Sequence, residues 1–310
     1  MVGTSGIHAV RSGVGCLLMA NPGRAARRPG MPDVTRISEV AHPRSLTCAP
    51  RAGTHIMPDS KTESHSARLK PLQVGKRHMH DSKIAPEVLE RVRAWRGKLH
   101  LYDVIDGVRT ALIVIDMQNH WVKEGCPGYA PGAVDIVPNI NRLAEAMRLA
   151  GGTVAWVRMS ASEDVIKGWD VFADFVARDG FTGPWLTSLT EGNTGMEFWH
   201  ELDIRPADEI VTKTRYSALI QGASDLEARL RRRDIDMVII TGVATNTCCE
   251  ATARDANMLN FRTIVVSDAN AARSDTEHNG SLTNLFNLFA NVMTTDEVLD
   301  RLRGARSDQG

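Results

Sequence analysis

The sequence predicts an α/β protein, a Rossmann-like three-layer sandwich of about six parallel strands with helices on both faces. Two observations lead to this fold class. Short apolar runs rich in β-branched residues recur along the chain, and segments of helical periodicity separate most of them. Strands that are apolar throughout are buried on both faces, so repeated strand–helix–strand units indicate a parallel sheet covered on both sides.

The predicted strands are four to seven residues long and rich in Val, Ile and Thr. The first of them ends at Asp116, and its apolar residues are continuous instead of alternating, which is typical of a strand buried on both faces. The six strands are predicted at residues 110–116, 153–157, 209–212, 237–241, 262–267 and 291–294.

Apolar residues spaced three or four apart predict the helices. Val88, Leu89, Val92 and Trp95 indicate an early helix that packs on the main domain. Later helices are predicted at residues 134–147, 224–233, 246–259 and 275–289. Residues 159–208 are irregular and contain Trp169, Trp185 and Trp199, which favours a long insertion that covers or walls a pocket.

Composition excludes several classes of protein. The 310 residues carry 37 basic and 37 acidic side chains, and a net charge of zero argues against a dedicated nucleic-acid binder. No apolar run approaches the roughly 18 residues of a membrane span. Five cysteines are few and odd in number, which favours free thiols in a reducing compartment. We therefore expect a cytoplasmic protein with no nucleic-acid or membrane partner.

Charge is uneven along the chain. Residues 1–56 hold seven Arg, no Lys and two acids, and they are rich in Gly, Pro and Ser. We predict a disordered N-terminal extension over residues 1–80, a helical N-terminal arm over 81–108 and a single domain over 109–304. The extension is compatible with a transit peptide, a flexible tail, or upstream sequence before a true start at Met57 or Met79.

Three polar residues stand at the ends of predicted strands, where parallel sheets bind their ligands. Asp116 ends the first strand, Lys213 follows the third, and Cys248 lies between the fourth strand and a helical run. A thiol near a helix N-terminus favours the nucleophilic thiolate. Singly, each residue has an ordinary alternative: a capping aspartate, a surface lysine, a buried small apolar side chain. Together they can supply base, electrostatic partner and nucleophile.

Three segments make the sequence recognisable: Ala-Leu-Ile-Val-Ile-Asp-Met-Gln-Asn at 111–119, Val-Thr-Lys-Thr-Arg-Tyr-Ser-Ala at 211–218, and the run from Ile-Ile-Thr-Gly-Val-Ala-Thr-Asn-Thr-Cys-Cys to Arg-Asp-Ala at 239–256. With them the chain resembles the isochorismatase-like cysteine hydrolase superfamily, over about residues 109–295. The motifs look most like those of ureidoacrylate and N-carbamoyl amidohydrolases. The resemblance implies a homo-oligomer.

The resemblance also implies roles for individual residues. Asp116 matches the family's catalytic aspartate, Lys213 its lysine and Cys248 its nucleophile. A cis peptide is implied at Val243–Ala244, with the N–H groups of Ala244 and Cys248 forming an oxyanion hole. Cys249 falls at a position that faces the core.

The implied activity is a metal-free, cofactor-free hydrolysis of the C–N bond in a small amide or ureido/carbamoyl compound, through a thioester and with release of ammonia. Residues 157–164 contain no His, unlike the metal site of nicotinamidases. The alternatives are an isochorismatase-type or nicotinamidase-type hydrolase, a non-catalytic binding homologue, and a redox sensor that uses Cys248 and Cys249.

Five further residues are candidates for contact with the small-molecule substrate. Arg158 can grip a substrate carboxylate with two hydrogen bonds, and its alternative is an ordinary surface arginine. The others lie near the predicted strand ends, and each has the alternative of supporting a loop without touching substrate. They are Gln118, Asn119, Trp121 and Tyr216.

Overall fold

A computed structural model describes residues 79–162, 165, 168–172 and 182–307. The expectations for residues 1–78 lie outside the described residues, and the domain boundaries stay predictions. Six strands form one parallel sheet in the order β3-β2-β1-β4-β5-β6, which confirms the predicted fold class. The strands are β1 (Thr110–Ile115), β2 (Thr153–Met159), β3 (Glu209–Lys213), β4 (Met237–Val243), β5 (Arg262–Ala271) and β6 (Asn291–Met293).

Helices cover both faces of this sheet. They are α1 (Pro86–Arg96), α2 (Asn119–Val122), α3 (Val137–Leu149), α4 (Thr182–Ser188), α5 (Leu226–Arg232), α6 (Glu250–Met258), α7 (Asp275–Leu288) and α8 (Thr295–Ser307). Short 3-10 turns occupy Gly107–Arg109 and Thr194–Met196.

The side chains of β1 show how the two cores divide. Leu112 and Val114 point to the face that is covered by α3 and α8. Ala111, Ile113 and Ile115 point to the opposite face, under α1, α5, α6 and α7. All five residues are fully buried, so the continuous apolar pattern of this strand has the predicted cause.

The strand order reverses between β1 and β4. From β1 the chain moves outward through β2 and β3, and it then returns to the other side of β1 for β4. A crevice at the carboxyl ends of the strands forms at such a switch point, and it is the usual ligand site of an open α/β sheet. Gly242, which is in register with Ile115, has φ +114, and a Cβ there would lie 2.1 Å from the Ile115 carbonyl oxygen. Glycine therefore allows β4 to approach β1 at this point.

The N-terminal arm contains the predicted early helix and packs on α7. Val88 and Val92 of α1 are buried, but Trp95 is 61% exposed, so its predicted packing is wrong. Residues 79–85 run beside α7. Asn279 accepts a hydrogen bond from the backbone N–H of Lys83 and donates one to the Asp81 carbonyl.

Several elements differ from the sequence prediction: the short helices α2 and α4 were not predicted, and β5 continues to Ala271, beyond its predicted end at residue 267. The predicted helix over 246–259 begins only at Glu250, because Thr245–Cys249 form one wide π turn. Helix α8 was not predicted, although Thr294 and Glu297 form a capping box that the sequence displays. The Thr294 backbone N–H donates to the Glu297 carboxylate, and the Glu297 N–H donates to the Thr294 hydroxyl.

Candidate active site

Asp116, Lys213 and Cys248 stand at the carboxyl ends of three different strands. Asp116 follows β1 with φ +55, and its backbone N–H donates to the Val157 carbonyl at 2.8 Å. Lys213 is the last residue of β3, and Cys248 lies in the turn after β4. Asp116 and Lys213 are fully buried, and Cys248 is 3% exposed. We call these three residues the charged cluster.

The Lys213 ammonium joins the charged cluster. Its Nζ lies 2.8 Å from Asp116 Oδ2 and donates to Cys248 Sγ at 3.4 Å and to the Arg215 carbonyl at 3.1 Å. The ammonium thus has two hydrogen-bond acceptors and one carboxylate ion-pair partner. The three side chains predicted at separate strand ends therefore converge on one nitrogen atom.

Burial and charge act in opposite directions on the acid and the base of this cluster. Burial raises the pKa of Asp116, although the neighbouring ammonium opposes the shift. Burial lowers the pKa of Lys213, but Asp116 and Cys248 outweigh it, so the pKa of Lys213 is raised overall. The lysine therefore keeps its charge, and the carboxylate binds a proton more readily than an exposed aspartate does.

The Cys248 thiol does not have the thiolate character predicted from its position. Burial raises the pKa of Cys248 well above the usual range of a thiol, Asp116 raises it further, and Lys213 opposes both. The π turn also separates Cys248 from the first regular turn of α6. The resting group is a neutral thiol, which needs a base in order to become a nucleophile.

Residues Thr245–Cys249, which we call the nucleophile turn, follow a cis peptide at Val243–Ala244, as the family resemblance implied. The Ala244 carbonyl accepts from the N–H groups of Thr247 and Cys249. The oxyanion hole formed by the N–H groups of Ala244 and Cys248 stays a prediction.

Cys249 makes its hydrogen-bond contact outside the charged cluster. Its side chain is fully buried in the core beneath α6, and its Sγ lies 3.9 Å from the Thr241 carbonyl oxygen. Cys248 and Cys249 are both free thiols. This placement agrees with the core position expected for Cys249.

Gln118 and Asn119 tie loops together. Gln118 is fully buried, donates to the carbonyls of Met159 and Met196, and accepts from the Met159 N–H. The side chain of Asn119 donates to the Thr194 carbonyl at 2.8 Å. Since both protons of the Gln118 amide bond to backbone, the structure gives this residue a supporting position instead of the expected substrate contact.

Arg158 lies on the wrong face of the sheet for its predicted role. In β2 and β3, Met159 is in register with Lys213 and Arg158 with Thr212. Successive side chains point to opposite faces, so Arg158 and Lys213 diverge. The Arg158 guanidinium donates to the Thr212 hydroxyl at 3.1 Å. The expected grip on a substrate carboxylate beside the charged cluster is therefore not supported.

Aromatic side chains line the region next to the charged cluster. Trp121 and Trp185 are edge to face at 5.8 Å, and Trp169 and Tyr216 at 4.9 Å. Burial raises the pKa of Tyr216, and the nearby Cys248 adds to the shift. With Phe172, which contacts Trp169, Trp185 and Tyr216, these residues form what we call the aromatic wall.

Part of the predicted insertion thus contributes to the aromatic wall. Trp169 and Trp185 come from the described parts of residues 159–208. Trp199 belongs elsewhere, because it packs on the core beneath α3 and α8.

His120 was missed by the sequence analysis. It is fully buried, and its ring lies 4.5 Å from that of Trp121 and 5.1 Å from that of Trp185. Burial, aided by Arg273, lowers the pKa of His120 to about 4. The imidazole is therefore neutral at ordinary pH. The only signal in the sequence is its place directly after Asn119.

Within the described ranges, no group of three or more His, Cys, Asp and Glu side chains could hold a metal ion. No helix in the same ranges is long and apolar enough to cross a membrane.

Comparison with known proteins places this site in a family. The isochorismatase domain model matches residues 110–297. Ureidoacrylate amidohydrolase RutB of Variovorax paradoxus is 32% identical over 240 residues, covering 69% of this chain and 87% of that relative. A probable inactive nicotinamidase of Arabidopsis thaliana is 31% identical over 195 residues, covering 62% and 96%.

A solved structure shares the same architecture. The crystal structure of a cysteine hydrolase from Pseudomonas syringae pv. phaseolicola is 32% identical, has a TM-score of 0.59, and covers 65% of this chain and 95% of its own. The family model matches more than half of the chain and includes all three members of the charged cluster. The chain therefore belongs to the isochorismatase family of hydrolases.

Proposed function

We propose that this chain is a cysteine amidohydrolase that breaks the C–N bond of a small amide or ureido compound through a thioester on Cys248, with release of ammonia. The observation that carries the proposal is the convergence of Asp116 and Cys248 on the buried Lys213 ammonium, at 2.8 and 3.4 Å. These groups supply an acid/base, a nucleophile and a fixed positive charge. The relative named ureidoacrylate amidohydrolase supports a ureido substrate.

In the first half-reaction, Asp116 accepts the thiol proton and Cys248 Sγ attacks the carbonyl carbon. The Lys213 ammonium stabilises the sulfur as it loses its proton. The N–H groups of Ala244 and Cys248 hold the oxyanion, where one such donor is worth about 2.7–4 kcal/mol. The C–N bond then breaks, Asp116 returns its proton to the departing nitrogen, and a thioester remains.

In the second half-reaction, Asp116 accepts a proton from water, and the resulting hydroxide attacks the thioester. The C–S bond breaks and the sulfur regains its proton. A primary amide releases ammonia in the first half-reaction. A ureido compound releases its amine first, and the carbamate formed next decomposes to ammonia and carbon dioxide. Ammonia therefore reports both substrate types, and the route requires no metal or cofactor.

The pKa shifts support this division of labour. Because the resting Cys248 thiol is neutral, no thiolate has to be buried before substrate binds, and a carboxylate with a raised pKa can take the thiol proton at the moment of attack. The aromatic wall supplies a flat apolar surface for the rest of the substrate. We propose Trp121 and Tyr216 as its substrate-contacting members.

The test is an ammonia-release assay of the full chain with ureido acids, N-carbamoyl amines and primary amides, including nicotinamide. Peptide mass spectrometry on quenched samples then locates any acyl or carbamoyl adduct. We expect ammonia from ureido or carbamoyl compounds and an adduct on Cys248.

Several results would contradict the proposal. Ammonia from nicotinamide alone would contradict the ureido or carbamoyl substrate and indicate a nicotinamidase-type enzyme. Hydrolysis of a vinyl ether without ammonia release indicates isochorismatase chemistry. No turnover of any compound indicates a binding homologue, and reversible oxidation of the paired cysteines without turnover indicates a redox sensor.

A further inference from the structure

A second group of polar residues, buried in part, contacts the nucleophile turn at Thr245. It joins the N-terminal arm to the turn through helix α7, and we call it the histidine cluster. Its members are His80, Ser82, Thr245, His278 and Ser281. The proposed chemistry does not use any of them.

His278 is the centre of the histidine cluster. It lies on α7 and is fully buried, as is Thr245, the first residue of the nucleophile turn. His278 Nδ1 is 2.9 Å from the Thr245 hydroxyl oxygen, and His278 Nε2 is 3.1 Å from the Ser82 hydroxyl oxygen. One imidazole therefore bridges the arm and the turn.

We assign the direction of each hydrogen bond from the available acceptors. The Ser82 hydroxyl has the Ser267 carbonyl as an acceptor at 3.3 Å, and with its single proton used there Ser82 accepts from His278 Nε2. Burial, together with His80, lowers the pKa of His278 to about 3, so the neutral ring has one N–H. Nδ1 is then an acceptor, and the Thr245 hydroxyl donates to it.

Helix α7 holds Thr245 by a second contact. The Ser281 hydroxyl donates to the Thr245 carbonyl at 3.1 Å, one helical turn beyond His278. Both the hydroxyl and the carbonyl of Thr245 are thus bound to α7. Because Thr245 follows Ala244 directly, these two bonds fix the start of the turn that carries Cys248.

The N-terminal arm covers the outer side of His278. The His80 ring stacks on the His278 ring, with centroids 4.4 Å apart and an interplanar angle of 18°. His80 Nε2 accepts from the Ala272 N–H at 3.0 Å, and Nδ1 lies 2.6 Å from Asp275 Oδ1. The stacked ring keeps water away from the imidazole, where it would compete with Thr245 for Nδ1.

We propose that His278 is a positioning residue for the proposed reaction: as the acceptor of the Thr245 hydroxyl proton, it holds the nucleophile turn so that Cys248 Sγ meets Lys213 and Asp116. This positioning role rests on the proposed function only where kcat is measured, because the alkylation of Cys248 can be followed without a substrate. Displacement of a reacting atom by about 1 Å can cost on the order of 100-fold in rate.

Two substitutions at position 278 separate this role from simple packing. In His278→Asn the short amide reaches the position of Nδ1 and can still accept from Thr245. In His278→Gln the longer amide reaches the position of Nε2 and can bond only to Ser82. Both variants lose the ring and its stacking on His80. Thr245→Ser and Thr245→Val form the matching pair on the other side of the bond.

We expect kcat to fall about 10- to 100-fold in His278→Gln and Thr245→Val, with KM changed less than about threefold, since binding groups stay in place. His278→Asn and Thr245→Ser should retain at least about a third of kcat. Thr245→Val should lower kcat little further in the His278→Gln background, because both changes remove the same hydrogen bond between Thr245 and His278. Asn287→Ala, which removes a hydrogen-bond partner of Arg91 near the other end of α7, is the control expected to leave kcat unchanged.

Site-resolved alkylation of Cys248 by iodoacetamide repeats the test without a substrate. We expect alkylation to be slower than in wild type for His278→Gln and Thr245→Val, and close to wild type for His278→Asn and Thr245→Ser. If kcat and alkylation instead follow the melting temperature in all four variants, or if the paired variants do not differ, the positioning role is wrong. If wild type releases no ammonia but the alkylation rates divide as expected, the proposed function fails and the positioning role stands.

Discussion

The charged cluster and the histidine cluster meet the same turn at different residues, Cys248 and Thr245, and the central side chains of both, Lys213 and His278, are fully buried. In the charged cluster, Lys213 keeps its ammonium charge, because a carboxylate lies 2.8 Å away. In the histidine cluster, His278 stays neutral, because hydroxyl groups are its hydrogen-bond partners and burial lowers its pKa to about 3.

The difference shows when a buried group can carry charge. Burial of an ion costs several kcal/mol unless an opposite charge and further hydrogen bonds compensate it. Lys213 has both kinds of compensation, whereas His278 has hydrogen bonds that a neutral ring already satisfies. The first cluster can therefore exchange protons during a reaction, and the second can only hold a conformation.

The largest expected effect separates the two neighbouring thiols. Cys248→Ala should lower turnover by at least about 1,000-fold, because it removes the proposed nucleophile. Cys249→Ala should keep turnover within about threefold and cost about 1 kcal/mol of stability through the small cavity that it leaves. Ammonia release and urea denaturation measure the two effects. An active Cys248→Ala and an inactive Cys249→Ala would show that Cys249, and not Cys248, is the nucleophile.

Removal of the charge from the charged cluster should destabilise the fold. Lys213→Met leaves the Asp116 carboxylate buried without its partner, and the loss of one partner from a buried ion pair typically costs about 3–5 kcal/mol. The double variant Asp116→Asn/Lys213→Met should recover part of this loss, because no charge remains unpaired. Urea denaturation of the three proteins tests the comparison. Equal stability of the single and double variants would show that the pair is not charged in the folded state.

The buried neutral histidines should make stability depend on pH. Above pH 6.5 these histidines are neutral in both the folded and the unfolded state, so they add nothing to the pH dependence of the unfolding free energy. Below pH 6.5 they bind protons in the unfolded chain, but in the folded chain His278 and His120 stay neutral down to their lowered pKa values of about 3 and about 4. Stability should therefore fall as pH decreases, by up to about 1.4 kcal/mol per pH unit for each histidine.

Substitution isolates the share of His278 from that of the carboxylates. The difference in unfolding free energy between wild type and His278→Asn, measured from pH 7.5 to 5, should shrink as the pH decreases. The groups facing His278 are His80 and Asp275, and Arg273 acts on His120. A difference that does not change with pH would mean that His278 is not held neutral.

The smallest effects concern two residues first expected to bind substrate. Gln118→Leu should lower the free energy of unfolding by about 1–3 kcal/mol, because it leaves buried backbone groups of Met159 and Met196 without partners.

Arg158→Ala should change the free energy of unfolding by less than about 0.5 kcal/mol and KM by less than about threefold, because the Arg158 side chain points to the opposite face of the sheet from Lys213. A large rise in KM for Arg158→Ala would restore the predicted carboxylate contact.

The sequence predicted the sheet and the members of the charged cluster with good accuracy. Continuous apolar runs such as residues 111–115 mark the buried strands, and the strand ends located Asp116 and Lys213 within a residue, with Cys248 in the turn that follows β4. Local patterns suffice there because strand burial and chain order are themselves local properties. The capping box at Thr294 and Glu297 was equally visible and was overlooked.

Other properties depend on contacts between residues far apart in the sequence. Nothing local in the sequence distinguishes His278, which meets Ser82 from 196 positions away, or shows that Arg158 points away from Lys213. The raised pKa of Cys248 likewise follows from burial that only packing creates. Sequence thus determined which chemical groups stand at the ends of the strands. Tertiary structure decided which of these groups contact one another, which stay charged and which only hold a loop in place, because distances and desolvation are set by the folded chain as a whole.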